Sequence, residues 1–416
     1  MDDFKNIFTR AKAAAQDLLA LGDERRVQIL DAVAEATLAH QEELLQANAE
    51  DLSRMDPQNP LYDRLALSPE RLEGIAADMR QVAALPTPLD RILEERTMPN
   101  GLRVRKISVP FGVVGVVYEA RPNVTFDVFS LCFKSGSACL LKGGRDADRS
   151  NQYAVSLIRS VLERFDVNPD AVILLPATRE AVHALLTATG WVDLVIPRGG
   201  RGLIDFVREH AKVPTIETGA GVVNTYFDKD ADLEIGKAIV YNAKTRRPGV
   251  CNALDCLLIH QDRLKDLQAL CLPLLDHRVE LFADEAALAA LDGAYPTDLL
   301  HPAGPDTFGT EFLSFKMGIR TVASLDEALA HIHEYGSGHS ESIVTEDSAV
   351  ADRFRRQVDA ACVYVNAPTS FTDGAQFGLG AEIGISTQKL GARGPMGLRE
   401  ITTYKWLIDG RGQMRP

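Results

Sequence analysis

The chain has 416 residues, 46% hydrophobic and 25% charged, a globular composition long enough for two or three domains with cores of their own. Its 58 acidic residues outnumber 45 basic ones, a net charge of −13 that excludes a nucleic-acid scaffold or an anionic membrane surface as partner, since either needs a basic face. No apolar run approaches the roughly 18–20 residues of a membrane span, the amphipathic N-terminus lacks a leader's apolar core, and the six cysteines show no CxxC or zinc-like spacing, so a soluble cytoplasmic protein with reduced thiols and no metal is expected.

Residues 1–85 read as a helical layer. Val27, Leu30, Ala34 and Leu38 fall on one helical face, as do Leu72, Ile75, Met79 and Val82. Ser68 is placed to cap the second of these helices, with Pro69 at its first position. From 103 the pattern changes. RVRKISV alternates as a half-exposed strand does, and the apolar runs SACLLK (137–142), AVILLP (171–176), DLVIP (193–197) and PTIET (214–218) follow, separated by amphipathic helical stretches. Short apolar runs joined by crossover helices predict an α/β fold with a parallel sheet covered on both faces. A second α/β segment begins near 238 and includes DCLLIH (255–260) and ACVYVN (361–366). The Gly-, Ser- and Thr-rich stretch 367–397 reads as a functional loop, and LREITTYKWLI as a last strand.

Ligands of parallel sheets gather beyond the carboxyl ends of the strands, and those ends carry Lys142, the pair Gly199-Gly200, and Glu217. Lys142 is either a crevice-facing cation or a solvated strand end. Gly199 and Gly200 either hold a phosphate or a nicotinamide at a helix N-terminus or merely make a tight turn. GLGAEIG at 378–384 has the wrong spacing for a dinucleotide fingerprint. Cys251 lies in NAKTRRPGVCNA (242–253), just after a Pro-Gly turn and downstream of Lys244, Arg246 and Arg247. Cations and freed backbone N–H groups favour the thiolate, which is the nucleophile. With Glu217 as a carboxylate, Cys251 suggests covalent chemistry on an acyl group or an aldehyde. The other five cysteines, Cys132, Cys139, Cys256, Cys271 and Cys362, read as core.

The order of strand-end Lys142, the GG turn, ETGAG (217–221), the Cys251 loop, Glu311-Phe312 and VYVN (363–366) resembles the aldehyde dehydrogenase superfamily across nearly the whole chain. Longer strings are more specific. YEARPNVT (118–125), ETGAG, NAKTRRPGVCNA, YGSGHSESIVTED (335–347) and GLGAEIGISTQKLGARGPMGL (378–398) are similar to the gamma-glutamyl phosphate reductase family.

The resemblance implies a Rossmann-type NADPH-binding domain (1–102, 112–237 and 367–388), an α/β catalytic domain (238–366) and a β oligomerisation arm (103–111 and 389–416), the arm predicting a homodimer or homotetramer. It implies NADPH-dependent reduction of L-glutamyl 5-phosphate to L-glutamate 5-semialdehyde in proline biosynthesis, the substrate being supplied by glutamate 5-kinase. Carried over by motif, Cys251 is the nucleophile, Asn123 an oxyanion donor, Lys142 a contact of the adenosine ribose and 2′-phosphate, and Glu311 a contact of the nicotinamide ribose. Arg121, Lys244, Arg246 and Arg247 are then expected to meet the substrate's anions, and the loops holding His339 and Ser370 its glutamyl end. A reductase loses its thioester to activated water, so Glu217 is expected not to be an efficient hydrolytic base. Oxidation of a small aldehyde to the free acid, and a non-catalytic protein on the same fold, are the competing expectations.

Overall fold

The structure, a computed structural model, describes residues 2–59 and 62–415, and divides into two compact units. The first comprises 1–218, 378–384 and 395–416; the second comprises 219–377 and 385–394.

The first unit opens with the helices α1 (Asp2–Leu18), α2 (Asp23–Ala39), α3 (Gln41–Leu52), α4 (Tyr62–Leu65) and α5 (Pro69–Ala84). The buried face of α5 includes Leu72, Ile75, Met79 and Val82, and Ser68 caps it by accepting the Arg71 N–H at 3.2 Å. On α2 the buried face is Arg26, Ile29, Leu30, Val33, Ala34 and Thr37, so the expected stripe is turned by one position and leaves Val27 and Leu38 half-buried. Arg26 is tolerated inside because its guanidinium donates to the Leu18 carbonyl, which ends α1.

Then come β1 (Ile92–Thr97), β2 (Arg103–Pro110), β3 (Val113–Tyr118), α6 (Asn123–Lys134), β4 (Ala138–Lys142), α7 (Asp148–Arg164), β5 (Val172–Leu174), α8 (Arg179–Leu186), β6 (Leu194–Arg198) and α9 (Arg201–His210). The strands β5-β4-β3-β6 form a parallel sheet in that order. Every residue of β3 and β4 is buried, as continuous apolar runs covered on both faces require. PTIET does not become a strand. It touches the sheet through one bridge, Val195 to Thr215, because Pro214 has no N–H to donate and the run turns away after Ile216. A separate antiparallel sheet joins β1, β2 and the C-terminal strand Thr402–Asp409.

The second unit holds a seven-stranded parallel sheet. Its elements are β7 (Asn224–Phe227), α10 (Leu233–Thr245), β8 (Cys256–His260), α11 (Leu267–Cys271), β9 (Glu280–Ala283), α12 (Glu285–Leu291), β10 (Leu300–Pro302), β11 (Lys316–Val322), α13 (Leu325–Tyr335), β12 (Ser340–Val344), α14 (Ser348–Gln357) and β13 (Cys362–Val365). The strand order is β10-β9-β11-β8-β7-β12-β13. Because β7 pairs with β8 and β12 in this sheet, the division falls at Thr218/Gly219, ahead of the 237/238 boundary expected from the sequence. One core, with Phe227, Val240, Leu257, Leu270, Leu281 and Ile319, packs α10, α11 and α12 on one face; Tyr226, Leu258, Ile332 and Phe354 pack α13 and α14 on the other.

Candidate functional site

In the second unit, α10 ends at Thr245 and the chain loops through Cys251 before entering β8. All six cysteines are thiols, and Cys251 is the one that is not buried. Burial pushes the Cys139, Cys256 and Cys271 thiols up, with Cys132 beside Cys139 as that thiol's largest cause. Those sulfurs are held as thiols in apolar surroundings; Cys251 is half-buried on a loop.

The loop is braced from several directions. Its base is closed by Leu254 N–H donating to the Ala243 carbonyl at 3.0 Å and by the Lys244 ammonium donating to the Leu254 carbonyl at 2.8 Å. The neighbouring Asn252 is 6% exposed, its amide donates to the carbonyls of Ser370 and Thr372, and its own carbonyl accepts the Thr369 hydroxyl. Gly221, the last residue of ETGAG, lies against the nucleophile itself. A Cβ there would sit 1.7 Å from the Cys251 carbonyl oxygen, so no other residue fits. The Gly221 N–H is taken by the Glu311 carboxylate at 2.9 Å.

Below the loop lies a buried charged couple. The Asp255 carboxylate accepts N–H groups from Phe312 and Val223, and burial pushes its pKa up to about 7 against the pull of Lys244. Burial pushes Lys244 down to about 8, with Asp255 opposing. Lys244 is fully enclosed, whereas Arg246 and Arg247 are exposed. His339 is also enclosed. Burial holds its pKa down to about 4, leaving a neutral ring that shares a hydrogen bond with Ser340, which in turn meets Thr372. Ser370 is 7% exposed and its hydroxyl donates to the Asn242 side-chain carbonyl. Of the expected substrate contacts in this unit, the two arginines face solvent, while Lys244, His339 and Ser370 face inward.

In the first unit, Lys142 ends β4, is 8% exposed and donates to the Gly143 carbonyl. Burial lowers its pKa, and Arg145 adds to that. It lines a cavity of about 490 Å³ together with Arg145, Ala177, Thr178, Arg179 and Val182. Three cations at the carboxyl end of a parallel strand form a site suited to a phosphate-bearing ligand. The Gly199-Gly200 turn packs closely against Glu119 and Leu203. A Cβ at Gly199 would meet Glu119 and Leu203 within 2.7 Å, and the Gly200 N–H is already held by the Glu119 carboxylate at 2.8 Å.

Glu217 is half-buried, and one of its oxygens accepts two N–H groups of Arg208, at 2.7 and 2.8 Å. Asn123 opens α6 and donates to Asp127, whose pKa is pushed up to about 7 by burial, with Asp78 adding and Arg198 opposing. Arg121 is exposed just ahead of that helix.

Sequence reading passed over Arg145, Arg179, Gly221 and Asp255. Arg145 had a signal in its three-residue distance from Lys142, and Asp255 in being a lone carboxylate heading an apolar run. Among the described residues no cluster of three or more His, Cys, Asp or Glu is placed to hold a metal, and no helix is long and apolar enough to cross a membrane.

No protein-family model matches the chain. Gamma-glutamyl phosphate reductase of Pelodictyon phaeoclathratiforme is 61% identical over 403 residues, covering 97% of this chain and 96% of the relative. The crystal structure of gamma-glutamyl phosphate reductase from Thermotoga maritima superposes with a TM-score of 0.95 at 38% identity, covering 99% of this chain and all of that one. An acetylating aldehyde dehydrogenase from Geobacillus thermoglucosidasius, 18% identical with a TM-score of 0.72 over 100% of this chain and 98% of that one, shares the fold. The chain therefore belongs to the gamma-glutamyl phosphate reductase family and carries the α/β fold of aldehyde dehydrogenases.

Proposed function

We propose that the protein reduces L-glutamyl 5-phosphate to L-glutamate 5-semialdehyde and phosphate with NADPH, as a step of proline biosynthesis. The observation that carries this reading is Cys251: the one cysteine outside the core, on a loop pinned at its base and laid against a glycine that nothing larger can replace. Relatives that share 61% and 38% of their residues with the chain carry the name of that reaction.

The Cys251 thiolate attacks the acyl-phosphate carbonyl. A C–S bond forms, the C–O bond to phosphate breaks, and phosphate leaves with the electron pair. The Cys251 N–H would serve as a donor to the developing oxyanion. Phosphate is a good leaving group and needs no strong acid, so the step asks little of the surrounding carboxylates. The hydride, whose two electrons take the thioester to the oxidation level of the aldehyde, would come from NADPH when bound. Release of the semialdehyde breaks the C–S bond and returns the thiolate to Cys251.

Lys142, Arg145 and Arg179 would hold the cofactor's phosphates in the first unit, while the exposed Arg246 and Arg247 are the second unit's contacts for the substrate's anions. The first unit thus serves as the NADPH-binding domain and the second as the catalytic domain. The three-stranded sheet, with Tyr404 and Ile408 more than half exposed, serves as an arm for a second copy of the chain in a homodimer or homotetramer. A cytoplasmic location would let glutamate 5-kinase supply the labile substrate.

The test is the reverse reaction. NADP-linked oxidation of glutamate 5-semialdehyde should require phosphate or arsenate, and Cys251→Ala should lower its rate by more than about a thousandfold. Phosphate-independent oxidation to glutamate would overturn the reading in favour of an ordinary aldehyde dehydrogenase.

A further inference from the structure

We propose that Lys244 is a positioning residue for Cys251 and not a substrate contact: its enclosed ammonium staples shut the loop that presents the thiol. This deepens the reading above and rests on it only where turnover is measured.

Each link is within the second unit. The Lys244 ammonium donates to Leu254 across the base of the loop and lies 6.0 Å from the centre of the Phe312 ring, within reach of a cation–π attraction. The Phe312 N–H binds Asp255, the residue after Leu254, and Asp255 also holds Val223. Glu311, next to Phe312, holds Gly221, on which the Cys251 carbonyl rests. The circuit Lys244–Leu254–Asp255–Phe312–Glu311–Gly221–Cys251 therefore closes on itself.

An apolar side chain at 244 would leave the Leu254 carbonyl without its ammonium donor and Asp255 without a counter-charge, both in the interior. One ammonium donates to the Leu254 carbonyl and lends its charge to Asp255, which explains a fully enclosed lysine at this place. Misplacement of a reacting atom by about 1 Å costs on the order of a hundredfold in rate, so a loose loop base should register in turnover before it registers in binding.

The experiment uses Lys244→Met, the paired Lys244→Met/Asp255→Asn and Lys244→Arg in the full-length protein. The pair removes the staple without leaving an unpaired buried charge, and so stays informative where Lys244→Met alone does not fold. Hydrogen exchange of the 246–254 amides should quicken about tenfold or more in the pair while β8 and β12 keep their protection. In the phosphate-dependent assay kcat should fall by about a hundredfold with KM within about threefold, and Lys244→Arg should recover part of kcat. A raised KM with kcat kept would make Lys244 a substrate contact and overturn the proposal. Unchanged loop exchange in a folded pair would overturn it too. Since exchange needs no substrate, a failed enzyme assay in the wild type would count against the function and leave the staple to be judged on exchange.

Discussion

Lys142 and Lys244 look alike in sequence, each expected to meet an anion, and both prove to be buried lysines whose pKa is pushed down by burial. Their surroundings differ. Lys142 lines an open cavity with two exposed arginines, whereas Lys244 is enclosed among a carbonyl, a phenyl ring and a carboxylate of its own unit. A buried cation that lines an open cavity beside two exposed arginines is set up for an external anion. One whose neighbours already answer its charge is part of the frame. The first region should therefore tolerate changes in packing and be sensitive to the ligand's charge, and the second the reverse.

The severest way to break this contrast is Gly221→Ala. The added methyl must displace the Cys251 carbonyl, a backbone atom that cannot rotate aside. The expected cost is about 3 kcal/mol or more in urea unfolding, with kcat lowered by about a hundredfold in the phosphate-dependent assay. An active, stable Gly221→Ala protein would show that the loop is not braced as described. A smaller effect, confined to one ligand, belongs to the other region. Arg145→Ala and Arg179→Ala should each weaken NADPH by about tenfold, the worth of one charge-assisted contact, and change NADH by less than about twofold. Titrations of protein fluorescence with the two nucleotides decide it; equal losses for both would remove the 2′-phosphate from this cavity.

The same contrast explains what was legible in the sequence. SACLLK and DCLLIH became β4 and β8 because strands buried on both faces must be apolar throughout. PTIET has the same look but begins with a proline and makes a single bridge. β7 was missed as the first strand of the second unit, since Asn224–Phe227 is four residues long and carries Asn and Thr among its buried positions. Cys251 stood out because thiol, turn and cations are local in sequence. The use of Lys244 did not, because it depends on Asp255 and on Phe312, which lies far along the chain. A charge beside a nucleophile reads as a ligand contact until the fold supplies its partner.

Glu217→Gln should have the mildest effect, and it tests whether the reaction needs a carboxylate base at all. Arg208 places two N–H groups on one Glu217 oxygen, so the carboxylate is already engaged as half of an ion pair. Glutamine keeps a carbonyl oxygen to accept at least one of those donors, and an ion pair with an arginine more than half exposed is worth about 0.2–1 kcal/mol. Reduction of a thioester requires no base to activate water, and an efficient one would divert the intermediate to glutamate. The expected loss in kcat is therefore under about fivefold, with no change in the phosphate requirement. Loss on the scale of Cys251→Ala would mean that Glu217 acts on the reacting groups. A rise in semialdehyde formed per acyl phosphate consumed would mean that the wild-type carboxylate does activate some water, and that its partnership with Arg208 is what restrains it.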